Sequence, residues 1–262
     1  MNSNSLNSSS LNSSSLTDDE LIQFARQIIL PELDETGQLA LKNAQVAIFG
    51  LGGLGSPVSL YLAAAGIGTL YLIDHDRVEQ SNLQRQIAHS TDTVEKTKVE
   101  SAAARCLSLN PFINVHPIER KITNQESFAE LGSCSVLVDC LDTQTSRRWL
   151  NQLSLKLQLP LVSASAIRFE GQLSVFNFDS NTPCYECLYP TQPNEESCFE
   201  KGVMGPVVGA IGSLQAMEVI KLITGIGKSL IGQLLMYDAK LTHFEKLKIK
   251  KNKLCSSCRT LK

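Results

Sequence analysis

Gln45-Val-Ala-Ile-Phe49 runs directly into Gly50-Leu-Gly-Gly-Leu-Gly55, and that junction decides the fold. The first five residues, mostly apolar, make a short strand. The G-x-G-x-x-G spacing after it lets the backbone turn tightly and approach a phosphate. A helix N-terminus behind the turn supplies N–H groups and the positive end of a dipole. The helix is expected to run to about Ala65, and a second apolar strand, Thr69-Leu-Tyr-Leu-Ile73, closes on Asp74. Gly50, Gly52, Gly53 and Gly55 with an acid at Asp74 therefore make a βαβ unit shaped for a nucleotide, the acid taking a ribose. NAD and ATP satisfy that pattern equally.

Working outward, strands and helices continue to alternate, which predicts an α/β, doubly wound, Rossmann-like and mostly parallel sheet. Thr17-Asp-Asp-Glu20 is a capping box opening a helix that carries Phe24, Arg26 and Ile28 and ends at Pro31, and a second helix follows near Asp34 to Lys42. Asp92-Thr-Val-Glu95 predicts the cap of another helix, with Val99, Ala103, Cys106 and Leu107 on its apolar face. Strands are expected at Val115 to Ile118, Ser135 to Asp139 and Leu159 to Ser163, with a helix bearing Trp149 before the last. Beyond them Gln172 to Phe178, Gln233 to Tyr237 and Phe244 to Ile249 alternate apolar and polar residues, as antiparallel strands do. A helix from about Pro206 to Thr224 lies between, with Gly225 as its C-cap. The division follows: a Ser/Asn-rich tail over 1–16 that repeats Leu-Asn-Ser-Ser-Ser and is expected to be disordered, a nucleotide-binding half over 17–165, and a sheet-rich extension over 166–262. The two halves are expected to share one continuous sheet.

Composition removes several function classes. With 24 basic and 26 acidic residues the net charge is −2, too weak to argue for a nucleic-acid or membrane-surface partner. No stretch reaches the roughly 18 uninterrupted apolar residues of a membrane span. The most apolar run, Val58 to Ile73, is broken by Gly66 and Gly68, and Met1 to Ser15 lacks the basic and apolar regions of a secretory signal. Eight cysteines in such a chain read as reduced thiols or metal ligands, and the expected location is cytoplasmic.

Four groups of residues carry chemistry. Ser81-Asn-Leu-Gln-Arg-Gln86 and Lys98 place polar and cationic side chains where they would neutralise a triphosphate, although spacing alone allows Lys98 to be a solvated helix lysine. Asp139 and Asp142 fall at the carboxyl edge of a buried strand, where one carboxylate can hold Mg²⁺ and Asp142 can equally cap the next helix. Cys184-Tyr-Glu-Cys187 and Cys255-Ser-Ser-Cys258 suit a closed tetrahedral zinc site, which is structural because no position stays open for water. A redox pairing is the alternative, but neither pair opens a thioredoxin-like helix. Cys198 stands in the polar loop Thr191 to Lys201, a place suited to a nucleophile. Cys106, Cys134 and Cys140 read as packing, and His75, His89, His116 and His243 form no ligand-spaced pair, so none is given a role.

Arg26-Gln-Ile-Ile-Leu30, Gly50 to Gly55, Ser81 to Gln86, Lys98-Val-Glu-Ser101, Asp139-Cys-Leu-Asp142, both Cys-x-x-Cys pairs and Gly209 to Ile220 stand in an order that resembles the HesA/MoeB/ThiF family, bacterial relatives of ubiquitin-activating enzymes. The resemblance covers residues 17–258. It implies ATP-dependent adenylation of the C-terminal Gly-Gly carboxylate of a ubiquitin-like sulfur carrier, with pyrophosphate released. It also implies roles: the glycine turn and Asp74 on the nucleotide, Ser81, Asn82, Gln84 and Arg85 on ATP, Lys98 on the phosphates, and Asp142 on Mg²⁺. Arg26 would reach a partner subunit's triphosphate, giving a homodimer, and Cys198 would carry covalent or sulfur chemistry. With no sulfurtransferase domain in this sequence, sulfur is expected from a separate donor. Thr143 departs from the asparagine usual after the Mg²⁺ aspartate, so weaker or rearranged polar contacts are expected beside Arg147 and Asn151, which keep their spacing. Arg168-Phe-Glu-Gly171 resembles the molybdopterin-synthase branch, whereas Ser59-Leu-Tyr-Leu62 and Gly205-Pro-Val-Val-Gly209 resemble the thiazole branch. A non-catalytic carrier-binding subunit and an NAD-dependent dehydrogenase remain as alternatives.

Overall fold

The computed structural model describes residues 15–122, 128–176, 179, 181–190 and 202–259. Two residues assigned to the tail contact the fold: Leu16 is buried, and the Ser15 carbonyl accepts Lys42 Nζ at 3.1 Å. Residues 1–14 of the expected tail lie outside the described residues, as does Cys198. Helix α1 (Asp18–Ile28) opens on the predicted capping box, with Glu20 N–H donating to Thr17 Oγ1 at 3.3 Å and Thr17 N–H to Glu20 Oε2 at 2.8 Å. Helix α2 (Asp34–Asn43) is tied to it by Lys42 and Glu20, 2.7 Å apart.

The nucleotide half follows as β1 (Gln45–Phe49), α3 (Gly55–Ala65), β2 (Thr69–Asp74), α4 (Lys98–Leu109), β3 (Asn114–Glu119), β4 (Val136–Asp139), α5 (Gln144–Leu157) and β5 (Leu161–Ile167). The extension adds β6 (Glu170–Phe176), the single turn α6 (Tyr185–Leu188), α7 (Gly205–Thr224), β7 (Gln233–Asp238) and β8 (His243–Lys248). All eight strands make one sheet in the order β3-β2-β1-β4-β5-β6-β7-β8, parallel from β3 to β5 and antiparallel beyond. The expected architecture is therefore present, and β5 itself spans the expected division at residue 165.

The central strands are covered on both faces, which is why they read as apolar runs without polar alternation. Val46 and Ile48 point into a core built with Leu62, Ala102 and Val219, while Ala47 and Phe49 point into a second core with Phe128, Leu150 and Leu161. Phe49 meets Phe128 edge to face at 5.6 Å. Helix α7 is long and apolar enough to cross a membrane by length and composition, a feature that counting uninterrupted apolar residues passed over. In the fold it packs on α3, β5 and β6, and its Gln215 is fully buried with Nε2 donating to the Asp139 and Val162 carbonyls. It is the helix that joins the two halves.

One predicted boundary is corrected. Asp92 to Glu95 does not cap α4: Thr91–Thr93 is a 3₁₀ turn, and Glu95 adopts φ +69°. Residues 94–97 instead make a turn tied back to Arg77 and Val78, with Val78 N–H donating to the Lys96 carbonyl, Glu95 N–H to the Val78 carbonyl, and a bridge between Arg77 and Thr97. Thr97 caps the helix, accepting Glu100 N–H at 3.3 Å. Thr97-x-x-Glu100 is an equally good capping signal in the sequence. The choice matters because it makes Lys98 the first helical residue.

Candidate active site

The strand order reverses between β1 and β4, and doubly wound sheets receive ligands in the crevice beyond the carboxyl ends of such a pair. The glycine turn lies there. Gly50 adopts φ +89°, and a Cβ on it would lie 2.7 Å from the Cys140 carbonyl oxygen, so β4 can approach only a glycine. A Cβ on Gly55 would overlap the Gly50 carbonyl oxygen, and Gly53 lies against Val208 of α7. Asp74, at the end of β2, accepts Leu51 N–H at 2.7 Å on Oδ2 and Asp76 N–H at 2.9 Å on Oδ1. It sits beneath the turn and braces it, with lone pairs left on both oxygens.

Lys98 is no solvated lysine. Its side chain is 8% exposed, and Nζ lies 2.7 Å from Asp76 Oδ2, while its N–H donates to the Asp76 carbonyl at 2.9 Å. Ser81, Asn82, Gln84 and Arg85 form a 3₁₀ turn and its continuation. Asn82 is buried, with Oδ1 accepting Glu79 N–H at 3.3 Å, and Arg85 Nη1 donates to the Ser81 carbonyl at 3.2 Å. Gln84 is exposed; its carbonyl abuts Gly205 at the start of α7, where a Cβ would come within 2.5 Å.

The two aspartates after β4 separate cleanly. Asp139 is fully buried and committed: Oδ2 accepts Ser163 Oγ at 2.6 Å and Arg147 Nη1 at 3.2 Å, and Oδ1 accepts Leu141 N–H at 3.0 Å. Arg147 Nη2 also donates to the Leu141 carbonyl. Asp142 is exposed and takes no hydrogen bond among the described residues. It is not a cap, because Thr143 caps α5 by accepting Ser146 N–H at 3.3 Å. Arg147 and Asn151 face inward: Asn151 Oδ1 accepts Tyr185 N–H at 3.0 Å, fixing α6 rather than lining the crevice.

Arg26 is not brought to this chain's own turn. Helix α1 docks at the far end of α3, where Gln27 Nε2 donates to the Ala65 carbonyl at 3.2 Å. An 11-residue helix, roughly 16 Å long, separates that end from the glycines. Arg26 shares the exposed side of α1 with Ile22 and Ile29.

Two further residues meet the turn: His89, to which the sequence gives no role, and Gln86, which closes the Ser81 to Gln86 stretch. His89 is buried, with Nε2 3.1 Å from the Leu51 carbonyl and Nδ1 2.9 Å from Ser101 Oγ. No spacing rule links it to a residue 38 positions away. Gln86 is buried against the turn, a Cβ on Gly52 falling 3.6 Å from its Nε2, and its Oε1 has no partner among the described residues. Polarity within the Ser81 to Gln86 stretch was the available signal.

The four expected zinc ligands do converge. Cys184 Sγ lies 3.9 Å from Cys187 Sγ and 3.7 Å from Cys255 Sγ, and Cys187 Sγ lies 3.5 Å from Cys258 Sγ. Sulfurs around a tetrahedral Zn²⁺ stand about 3.8 Å apart, so the cluster could hold that ion. Burial and the neighbouring sulfurs push the Cys184 thiol up, which makes a cation the natural way to hold four thiolates there. Burial likewise pushes Cys106 and Cys134 to about 12, in keeping with packing roles, and Cys140 well above its usual value.

A glycine turn at the reversal point, an acid beneath it and a buried lysine at the next helix start define a nucleotide-binding α/β protein. The chain belongs to the ThiF family, whose model matches residues 24–257. It is 44% identical over 243 residues to the molybdopterin-synthase adenylyltransferase of Escherichia coli (strain K12), covering 92% of this chain and 98% of that one. Among solved structures, E. coli MccB with MccA-N7isoASN superposes with a TM-score of 0.79 at 26% identity, covering 91% of this chain and 74% of that one. E. coli MccB with ATP superposes with a TM-score of 0.70 at 27% identity, covering 85% and 68%.

Proposed function

We propose that this chain adenylates the C-terminal Gly-Gly carboxylate of a ubiquitin-like sulfur carrier with MgATP, releasing pyrophosphate, in molybdopterin biosynthesis. The observation carrying this reading is the convergence at one sheet edge of a fixed glycine turn, a buried Lys98 and the uncommitted Asp142. Hydride transfer to a nicotinamide needs the turn and gives the other two no work. Likeness to a molybdopterin-synthase adenylyltransferase along 98% of its length favours that branch over the thiazole branch, and likeness to an ATP-bound structure favours ATP.

In the reaction a carboxylate oxygen of the carrier bonds to the α-phosphorus. The bond from that phosphorus to its bridging oxygen breaks, and pyrophosphate leaves with the electron pair. No proton has to move, so the rate rests on positioning two anions and neutralising their charge. The backbone N–H groups of the turn and the N-terminus of α3 receive phosphate oxygens. Lys98 and Arg85 neutralise them, Ser81, Asn82 and Gln84 line the nucleotide, and Asp74 holds the ribose. Thr143 sets the start of α5 beside them. Asp142 would hold Mg²⁺, which supplies further positive charge at the phosphates. Arg26 of a second copy completes the site, making the working unit a homodimer. Cys184, Cys187, Cys255 and Cys258 would hold Zn²⁺ as a staple. Cys198 is the thiol assigned to the later sulfur chemistry, with sulfur supplied by a separate donor. The exposed edge strand β8, with Lys246 and Lys248, receives the acidic face of the carrier.

ATP–pyrophosphate exchange with purified protein tests the reading, using a molybdopterin-pathway carrier and a thiazole-pathway carrier side by side. Exchange is expected with the first carrier only, and is lost when its terminal glycine is removed. Exchange with the thiazole carrier alone would reassign the pathway. Exchange with neither, from folded protein containing zinc, would favour a carrier-binding subunit without catalysis.

A further inference from the structure

His89 reaches the nucleotide site through one peptide bond. The Leu51 carbonyl lies 3.1 Å from Nε2 of His89, with a longer contact from Ser56 Oγ at 3.5 Å. A carbonyl can only accept, so Nε2 carries the ring proton, and Nδ1 accepts the hydroxyl proton of Ser101, 2.9 Å away. The ring works in this neutral form at pH 7. Burial, with Lys98 nearby, holds its pKa below the usual histidine value, although the Leu51 bond and Asp74 act the other way.

The carbonyl of Leu51 and the N–H of Gly52 belong to one planar trans peptide, so fixing the direction of the first fixes the opposite direction of the second. Gly52 N–H takes no partner among the described residues. On the other side of the same residue, Leu51 N–H is held by Asp74 at 2.7 Å, so both peptide planes flanking Leu51 are anchored. A glycine turn has little intrinsic stiffness, and only such anchors keep its N–H groups pointed at one place.

We propose that His89 is a positioning residue that, through the Leu51 carbonyl, aims the Gly52 N–H at a phosphate of the bound nucleotide. The proposal rests on the nucleotide reading of the turn and adds to it a residue that does not itself touch the ligand.

The test uses chain length as a ruler. A glutamine amide nitrogen stands as many bonds from Cα as histidine Nε2, whereas an asparagine nitrogen matches Nδ1 and falls short of Leu51. The full-length protein and its His89→Ala, His89→Asn and His89→Gln variants are titrated with MgATP and with adenosine. Alanine and asparagine are expected to weaken MgATP about tenfold and leave adenosine unchanged, with glutamine restoring most of the loss. Amide hydrogen exchange at Leu51 in the nucleotide-free proteins is expected to rise with alanine and asparagine and return with glutamine. Equal MgATP affinities across all four proteins, or equal loss for ATP and adenosine, would overturn the proposal. Wild-type protein that binds no nucleotide would overturn the function above. The exchange data would then show separately whether His89 holds the turn.

Discussion

The glycine turn and the four-cysteine cluster keep their shapes in opposite ways. The turn is anchored from neighbouring segments: Asp74 of β2 holds Leu51 N–H, the Ile73 carbonyl holds Gly50 N–H, and His89, braced by Ser101 of α4, meets the Leu51 carbonyl. These contacts all come from the protein itself. The cluster has one short helix, α6, on one side and a segment without helix or strand on the other. Among the described residues, Leu155 is the one buried side chain clustered with the four cysteines, and a single backbone donor from outside the knuckles, Asn252 N–H, meets a sulfur at 3.4 Å. A site that must stabilise a transition state gains from being preformed, whereas a structural metal contributes the folding energy that its surroundings lack.

Removing a cysteine should therefore produce the largest effect. Cys255→Ser is expected to abolish bound zinc, measured by metal analysis, and to lower the unfolding midpoint on the order of 10 °C, as several kcal/mol would. A chelator should do the same to the wild type. Unchanged melting with metal stripped would end the contrast, because the cluster would then hold its shape alone.

At the turn the contrast predicts lost activity with retained fold. Lys98→Ala is expected to slow ATP–pyrophosphate exchange on the order of 10²- to 10³-fold. It should leave the midpoint nearly unchanged, since its partner Asp76 is half exposed and such pairs are worth at most about 1 kcal/mol. Asp139→Ala, only a few residues from Asp142, should do the reverse. Uncoupling the buried Arg147 costs roughly 3–5 kcal/mol, read as a fall in melting midpoint. A large stability loss from Lys98→Ala would mean the lysine is a structural anchor.

How much of this could be read beforehand depended on distance along the chain. The βαβ unit, the Thr17 capping box, the antiparallel extension and both cysteine knuckles are patterns within a few residues or at fixed spacings, and all are present. The start of α4 was misplaced because two capping signals, at Asp92 and Thr97, lie five residues apart. Only the pairing of residues 94–97 with Val78 chooses between them. Spacing alone does not separate Asp139 from Asp142, and only the resemblance singles out Asp142, because commitment of the first depends on Ser163 and Arg147 folding over it. His89 was invisible for the same reason: a backbone carbonyl leaves no mark in the sequence.

Thr143 gives the smallest and most discriminating effect. Its departure from asparagine looked like a weakness at the nucleotide, yet its hydroxyl does what an asparagine side chain does at an N-cap, accepting Ser146 N–H. The physical consequence of the exchange should be local. Thr143→Ala is expected to cost about 1 kcal/mol, a midpoint shift of about 2–4 °C, with exchange activity following only the folded fraction. Thr143→Asn should restore the midpoint and leave exchange within about twofold of wild type, the range expected when a cap is replaced by its equal. If asparagine instead raised exchange tenfold at unchanged stability, residue 143 would touch the nucleotide as well as the helix. The boundary between the preformed site and its scaffold would then run through that side chain.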